Sequence, residues 1–208
     1  NLQVIRRLLL IHTLAFIVVP LCAIQLPDAQ HLIDLKTFES KNSFYVANQY
    51  SLDEATALLQ RTKGDREWLE ALLFYLKVQF RFDISLGREQ AHEALRLARK
   101  LKLRLHESMA LGNIATASCL YVPSQTAHLY ADSSIAISRE IGELALTSGA
   151  YYTKYVIDLV NQNDVSAITN LLKCVELAEL HASAETRNER RLRLFRFAKD
   201  NGNLALAR

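Results

Sequence analysis

The sequence repeats itself at an interval of 40 residues, and this period constrains the fold more than any other feature. Residues 97–101 align without gaps with residues 137–141 and 177–181. Because compact residues three, four and seven positions apart share one helix face, a neighbouring helix can approach that face closely. The period therefore predicts helix pairs that stack in sequence order. The compact positions that the shift superimposes are Gly87, Ala127 and Ala167; Ala94, Ser134 and Cys174; and Ala91, Ala131 and the larger Leu171.

The scarcity of turn residues agrees with a helical fold. The chain has only 6 glycines and 3 prolines among its 208 residues. Sandwiches and barrels of β-strands need turn residues every 8–12 positions. The formal net charge of +3 is too small to indicate a nucleic-acid partner. Composition thus predicts an all-α protein and gives no reason to expect nucleic acid.

The first helix of each unit carries a second pattern in the same register. Trp68, Ala71, Leu72 and Tyr75 spell W-x-x-A-L-x-x-Y, and Tyr155 repeats Tyr75 two units later. This resembles the tetratricopeptide repeat, in which W-x-x-L-G-x-x-Y is followed by spaced alanines in a second helix. The resemblance covers residues 51–208, with a unit of 40 residues instead of the family's 34.

The resemblance implies an α-solenoid of antiparallel helix pairs. We predict an N-terminal helical region with a partial repeat at 28–64, where Ser51 acts as an N-cap before early acidic residues. Three pairs follow at 65–182, divided into 65–102, 103–142 and 143–182. A further, truncated repeat begins at 183–208. Helix breaks are expected at 64–65, 83–87, 123–124, 142–143 and 161–164.

An apolar segment precedes the repeats. Arg6 and Arg7 are followed by residues 8–24, which carry no fixed charge, and Pro27-Asp28 marks a break. This pattern predicts a signal anchor at 1–27 that contacts the membrane through residues 8–24; a cleaved signal peptide and a buried helix are the alternatives. The positive flank predicts a cytoplasmic N-terminus and a periplasmic repeat domain at a bacterial inner membrane.

Motifs that would indicate catalysis or cofactor binding are missing from the sequence. It contains no glycine-rich phosphate loop, no HExxH and no GxSxG. Cys22, Cys119 and Cys174 show no metal-ligand spacing, so we interpret the latter two as core residues. The six histidines are scattered, and His92 and His128 are interpreted as surface or packing residues. We therefore predict no catalytic site, metal or cofactor within residues 1–208.

Five arginines occur within ten residues near the C-terminal end, and they admit two interpretations. They form either an anion-binding surface or a solvated helix face. They are Arg187, Arg190, Arg191, Arg193 and Arg196.

Tetratricopeptide arrays usually present their first helices to a concave groove. The resemblance implies that this groove binds a peptide, a protein or a small anionic ligand. The aromatic residues Trp68, Tyr75, Tyr151, Tyr152 and Tyr155 are interpreted as packing between repeats. If the repeats are aligned with that arrangement, the candidate residues that face the groove are Arg66, Lys77, His106, Asn113, Thr116, Thr153, Arg193 and Arg196.

Two functions fit a membrane anchor followed by such repeats. The chain resembles the extracytoplasmic sensor region of bacterial membrane signalling proteins, most closely those with a diguanylate cyclase output and next those with a histidine kinase. That resemblance implies an output module after Arg208 and is compatible with a homodimer, although no heptad seam predicts one. The alternative is an exported scaffold that holds proteins together during envelope assembly.

Overall fold

The computed structural model describes residues 50–80, 82–83, 87–121 and 123–201, and these form eight α-helices and no strands. The predicted all-helical fold is confirmed for this part of the chain. The helices, numbered in chain order, are α1 (Leu52–Arg61), α2 (Asp65–Gln79), α3 (Arg88–Lys100), α4 (Arg104–Ser118), α5 (Ser124–Glu140), α6 (Leu144–Val160), α7 (Asp164–His181) and α8 (Ala184–Asp200).

The predicted anchor at 1–27 and the segment from 28 to 49 lie outside the described residues. None of α1–α8 combines the length and the apolar character that a membrane span requires.

Side-chain caps fix the start of several helices. Ser51 caps α1 as predicted: its Oγ accepts a hydrogen bond from the Glu54 N–H, and its own N–H donates to Glu54 Oε2 at 2.7 Å. This reciprocal pair is a capping box, in which each side chain accepts a hydrogen bond from the backbone N–H of the other residue. Asn163 Oδ1 and Ser183 Oγ cap α7 and α8 by accepting the N–H of Ser166 and of Thr186.

Three helix junctions use the same tight turn. The central residue has a positive φ at Lys102 (57°), Gly142 (77°) and Gln162 (60°). In each turn the next N–H reaches back five residues, for example from Glu143 to the Ser138 carbonyl at 2.8 Å. This bond satisfies a carbonyl that the helix end would otherwise leave without a partner. The turn therefore closes one helix and begins the next within three residues.

The compact positions of the 40-residue register lie in the helix interfaces. All nine of these residues are buried. A Cβ added to Gly87 would lie 2.3 Å from Phe80 Cε1, so only glycine fits where α3 begins against the end of α2. Short side chains thus allow close helix approach, as the sequence predicts.

A buried hydrogen bond also recurs at this interval. Ser108 Oγ on α4 donates to the Ser134 carbonyl on α5 at 3.0 Å. Forty residues later, Ser148 Oγ on α6 donates to the Cys174 carbonyl on α7 at 2.8 Å. The equivalent positions one unit earlier hold Trp68 and Ala94. The two later units therefore share a polar contact between their helices, whereas the first unit does not have these polar side chains.

Every helix from α1 to α8 packs against the next one in the chain, and α4 also contacts both α2 and α6. A leucine-rich cluster from α2, α3 and α4 forms the largest core, and Ile137 of α5 joins it. Smaller clusters continue along the later helices. The described residues thus form an all-helical, repeat-like array that is compatible with a helical solenoid. The division into domains stays a prediction.

Candidate functional site on the first helices

The first helices of successive pairs contact one another directly. Helix α4 packs against α2 and α6. Helix α6 meets α8 through the rings of Tyr155 and Phe197, whose centroids are 6.1 Å apart in an edge-to-face arrangement. Side chains from α2, α4, α6 and α8 consequently share one continuous surface, which we call the first-helix face.

Arg190 is the most unusual residue of the first-helix face, because its charged side chain is buried with only 8% of its surface exposed. Its guanidinium carbon lies 3.7 Å from the centre of the Tyr152 ring, a cation–π contact between α8 and α6. Within the described part of the chain, Arg190 Nε has no hydrogen-bond partner. Nη1 is 3.5 Å from Glu189 Oε1, which is too long for a strong hydrogen bond. A buried guanidinium therefore retains unused donor capacity.

Lys77 reaches the same region from the other end of the array. Burial, and to a smaller extent repulsion by Arg190, lower the pKa of Lys77 to about 7. Lys77 lies on α2 and Arg190 on α8, the first helices of the first pair and of the last unit. Cations that are 113 positions apart in sequence are thus near enough to repel each other.

Polar side chains of α4 and α6 lie between these two ends. Thr116 Oγ1 and Thr153 Oγ1 are 3.5 Å apart, and each hydroxyl also bonds to a carbonyl of its own helix. Asn113 lies one turn before Thr116 on the same face of α4. Its Nδ2 is buried and has no partner among the described residues. This amide is a second donor that the fold leaves unused.

Arg193 and Glu189 complete the charged group on α8. Arg193 Nε lies 4.0 Å from Glu189 Oε1, and only 14% of the Arg193 side chain is exposed. Burial raises the pKa of Tyr152, while Arg193 and Arg190 act in the opposite direction. We call Lys77, Glu189, Arg190, Arg193 and Tyr152 the cationic cluster. Arg190 and Arg193 both approach the Glu189 carboxylate, at 3.5 and 4.0 Å.

The eight candidate residues predicted from the sequence lie in different surroundings in the structure. Lys77 and Arg193 belong to the cationic cluster, and Asn113, Thr116 and Thr153 lie on the helices between its two ends. Arg196 is partly buried on α8.

Arg66 and His106 meet elsewhere, on the buried carboxylate of Glu70. Arg66 Nε and His106 Nε2 each lie 3.4 Å from Glu70 Oε1. Glu70 is only 3% exposed, so this pair compensates a buried charge between α2 and α4.

The five arginines near the C-terminal end do not behave as one surface. Arg191 is exposed and pairs with Glu179 of α7, which fits a solvated face. Arg187 donates to the Ala182 carbonyl at 3.4 Å. Arg190 is buried against Tyr152. The solvated-face interpretation therefore fits Arg191 and does not fit the buried Arg190, whereas the anion-binding interpretation stays a prediction.

The sequence named Arg190 only as one of five arginines with two interpretations, although the register contains a signal for its burial. Position 190 is 40 and 80 residues after Ala150 and Ala110, which are buried. The first unit holds the buried Glu70 at this position, so an arginine at a register position whose other members are all buried indicates a buried charge. Tyr152 was interpreted as repeat packing, and its ring does pack, against the guanidinium of Arg190.

A second polar cluster joins α5, α6 and α7. Asp158 is 3% exposed and accepts hydrogen bonds from His128 Nε2 at 2.8 Å, Ser166 Oγ at 2.6 Å and Asn170 Nδ2 at 2.7 Å. Ser166 bonds to the carboxylate and not to the imidazole, so no serine–histidine relay is formed. All three hydrogen bonds are accepted by one carboxylate, so this cluster holds α5, α6 and α7 together.

The remaining candidates for reactive chemistry are inert. Cys119 and Cys174 are buried, as predicted, and burial raises the pKa of both thiols, to about 11 for Cys119. Reactive cysteines need the opposite shift, toward the thiolate. No group of three metal-binding side chains is found among the residues described.

Comparisons with models of protein families and with curated protein sequences found no match to this chain. The first-helix face and the cationic cluster within it are therefore the features of the chain that bear on its function.

Proposed function

We propose that this chain is a tetratricopeptide-like binding domain whose first-helix face holds a peptide, a protein or a small ligand. The observation that carries the proposal is the buried guanidinium of Arg190, which has an unused donor at Nε. Buried polar groups without partners are rare in folded proteins, and charged ones are costly. A bound partner on this face would supply the missing acceptor.

The tetratricopeptide assignment is supported by the repeat pattern together with the helix contacts. The W-x-x-A-L-x-x-Y pattern of α2 places Trp68 and Tyr75 against the leucine-rich core. First helices that touch across pairs are the arrangement such repeats need to build a continuous surface. The 40-residue unit accommodates second helices of up to 18 residues, as in α7.

We further propose that the domain is the sensor region of a bacterial membrane signalling protein. The support is the sequence of the leader, in which Arg6 and Arg7 precede the apolar residues 8–24. In this arrangement the repeats are periplasmic, and a diguanylate cyclase or histidine kinase module lies beyond residues 1–208. Ligand binding between α2 and α8 would favour one curvature of the array, and the anchor would transmit that bias.

An exported scaffold is the second candidate, favoured by apolar side chains on the second helices. Leu129 of α5 is 67% exposed, and Val165 and Leu180 of α7 are 79% and 73% exposed. Exposed apolar groups of this size are typical of surfaces that contact other proteins. In the scaffold these side chains, and not the first-helix face, would carry the interaction.

Topology can be tested with a reporter that functions only after export. Alkaline phosphatase fused after Asn201 is expected to be active and to fractionate with membranes. A matched fusion that lacks residues 1–27 is expected to be inactive. An inactive full-length fusion would contradict the periplasmic location, and an active fusion in the soluble fraction would favour the scaffold.

Binding can be tested with a variant that fills the first-helix face. The unfolding temperature of the full chain is measured with the small-molecule fraction and with the protein fraction of a cell extract. Thr153→Trp is expected to abolish any rise in that temperature. Thr169→Trp is the control, because Thr169 is exposed on α7 and makes the same hydroxyl-to-carbonyl bond within its helix.

If neither fraction raises the unfolding temperature of the wild-type chain, the proposed binding function is wrong. An equal loss in both variants would show that the first-helix face is not the binding surface.

A further inference from the structure

One side of α8 is exposed, although the corresponding sides of α4 and α6 are buried. The three α4 residues and the three α6 residues that define these sides are at most 8% exposed. On α8, Asn188 and Arg191 are exposed, and Phe195 is 45% exposed. Shifts of 40 and 80 residues superimpose Asn188, Arg191 and Phe195 on Ser148, Tyr151 and Tyr155 of α6 and on Ser108, Leu111 and Ala115 of α4.

Two further residues lie on this side of α8. Leu192 follows Asn188 by four positions and Lys199 follows Phe195 by four, so each pair shares a helix face. Leu192 is 43% exposed, and Lys199 is exposed. We call Asn188, Arg191, Leu192, Phe195 and Lys199 the outer α8 face. It is not the side of α8 that places a guanidinium against α6, so it does not depend on the first-helix face.

An α-helix covers the corresponding positions in both earlier units. On α4, Ser108 bonds to a carbonyl of α5, and Ala115 packs among alanines of α5. On α6, Ser148 bonds to a carbonyl of α7, and Tyr155 packs against Ala167 and Leu171 of α7. The repeat therefore shapes this side of a first helix to pack against another helix.

Charge narrows the kind of helix that fits. Helix α8 has six basic and three acidic residues, and the formal net charge of the whole chain is +3, so α8 accounts for all of it. The two charged residues of the outer α8 face, Arg191 and Lys199, are both basic. We infer that the outer α8 face docks an amphipathic helix of a partner protein, with acidic residues on both sides of an apolar stripe. Leu192 and Phe195 are the apolar anchors for that stripe.

Other occupants fit this face less well. A second copy of the chain would bring two α8 helices of like charge together, which is unfavourable. Residues 202–208 contain no acidic residue that could pair with Lys199. An anionic lipid surface would need the arginines of α8 on its outside, but Arg190 is buried and the Arg193 side chain is only 14% exposed.

The test uses the purified 208-residue chain and two synthetic helical peptides long enough to span residues 188–199. Both peptides carry the same leucine stripe, and the flanking positions are glutamate in one and lysine in the other. Binding is measured by fluorescence anisotropy. The glutamate peptide is expected to bind at least tenfold more tightly, and added salt is expected to weaken its binding. A glutamate peptide whose stripe is replaced by serine is expected not to bind.

Matched variants locate the surface. Phe195→Ser is expected to weaken binding of the glutamate peptide by about tenfold or more, because it removes an apolar anchor. Leu129→Ser is the control, since it removes a 67% exposed leucine from α5. Thr153→Trp, which fills the first-helix face, is expected to bind the peptide like the wild type. This last variant separates failure of the outer α8 face from failure of the proposed function.

A reversal of charge tests the same surface without removing an anchor. Lys199→Glu is expected to weaken binding of the glutamate peptide and to strengthen binding of the lysine peptide, which a folding defect would not do. Lys63→Glu is its control, because Lys63 is exposed and lies outside α8. Equal binding of the two peptides by the wild type, or equal effects of Phe195→Ser and Leu129→Ser, would overturn the inference.

Three further outcomes would assign the face to another occupant and would also overturn the inference. One is a dimer that Phe195→Ser dissociates in sedimentation experiments. Another is binding to vesicles of phosphatidylglycerol and phosphatidylcholine that Phe195→Ser abolishes. The third uses Phe195→Trp, whose new indole is expected to be quenched by acrylamide until the glutamate peptide is added. Protection of that indole before peptide is added would show that the chain covers the face itself.

Discussion

The first and third helix pairs share one register but are held together by different chemistry. Between α2 and α3 the contact is apolar, with Leu69, Leu72 and Leu76 essentially without exposed surface. Between α6 and α7 it includes buried polar groups: Ser148 bonds to the Cys174 carbonyl, and Asp158 accepts two bonds from α7. The register thus fixes which positions face each other, whereas the residue type decides whether burial or hydrogen bonding joins them. Four measurements test this difference between the two pairs.

The largest effect is expected in the apolar pair. Leu73 of α2 has no exposed surface, so Leu73→Ala leaves a cavity in the core. Such a change lowers the free energy of unfolding by about 2–5 kcal/mol. Chemical denaturation measures it, and Leu129→Ala, at a 67% exposed position of α5, serves as the control with a change of about 0.5 kcal/mol or less. Similar losses in both variants would show that the first pair does not depend on its leucine core.

The second-largest loss of stability is expected at Asp158, the buried carboxylate of the third pair. Asp158→Asn keeps the shape of the side chain but places an amide among the donors of His128, Ser166 and Asn170. A loss of about 1–3 kcal/mol is expected, because buried donors lose their acceptor. Asp132→Asn is the control, since its carboxylate is 53% exposed and pairs with Lys154. If both aspartates tolerate the change equally, the buried carboxylate does not stabilise the third pair.

The third measurement tests whether Lys77 is buried as a charged group in the folded array. Its folded pKa of about 7 lies below the ordinary 10.5, so the unfolded chain binds more protons above pH 7. Lys77 therefore makes stability rise as pH increases from about 7 to 9, by at most about 1.4 kcal/mol per pH unit. Below pH 7 this contribution is constant.

Lys77→Met should remove that rise, and the difference from the wild type cancels the titration of the buried cysteines. Lys100→Met is the control, because Lys100 is exposed and pairs with Asp65 at 2.7 Å. Denaturation midpoints at pH 7, 8 and 9 provide the measurement. Parallel pH profiles for the wild type and Lys77→Met would contradict the burial of Lys77 in the folded chain.

The smallest loss of stability is expected at the buried serine hydrogen bond that recurs at the 40-residue interval. Ser148→Ala and Ser108→Ala each leave a buried carbonyl with fewer donors, and each is expected to cost about 1 kcal/mol. Ser133→Ala is the control, because the Ser133 hydroxyl is exposed and bonds only within its own helix. Unequal losses at Ser108 and Ser148 would show that equal register positions do not make equal contributions.

The all-helical fold could be predicted from the sequence because its cause is local and repeated. Compact residues at 40-residue intervals limit which faces can approach, and Gly64, Gly142 and the 161–163 turn interrupt the helices. The capping box at Ser51 was also predictable, since two residues three positions apart, Ser51 and Glu54, contain all of its chemistry. These features depend on neighbours in sequence and so need no knowledge of the assembled array.

The cationic cluster could be predicted only in part, because it joins residues that are distant in sequence. Register arguments place Lys77, Asn113 and Thr153 on first helices, but they do not say how far the array curves. Arg66 was projected to the same groove, yet the nearby Glu70 carboxylate attracts it instead. The burial of Arg190 depends on where the Tyr152 ring lies, and that follows only from assembled helices.

The approach of Lys77 to Arg190 makes the array sensitive to the number of its units. The turns at Lys102 and Gly142 have the same geometry, so a duplicated or deleted unit 103–142 could be joined without altering a junction. Such a change would preserve the contacts between neighbouring helices, but it would rotate and translate α8 relative to α2. The effect of Arg190 on the pKa of Lys77 would then change. Selection for an intact cluster would consequently resist gain or loss of whole units, even though the chain is built in a way that makes such copying easy.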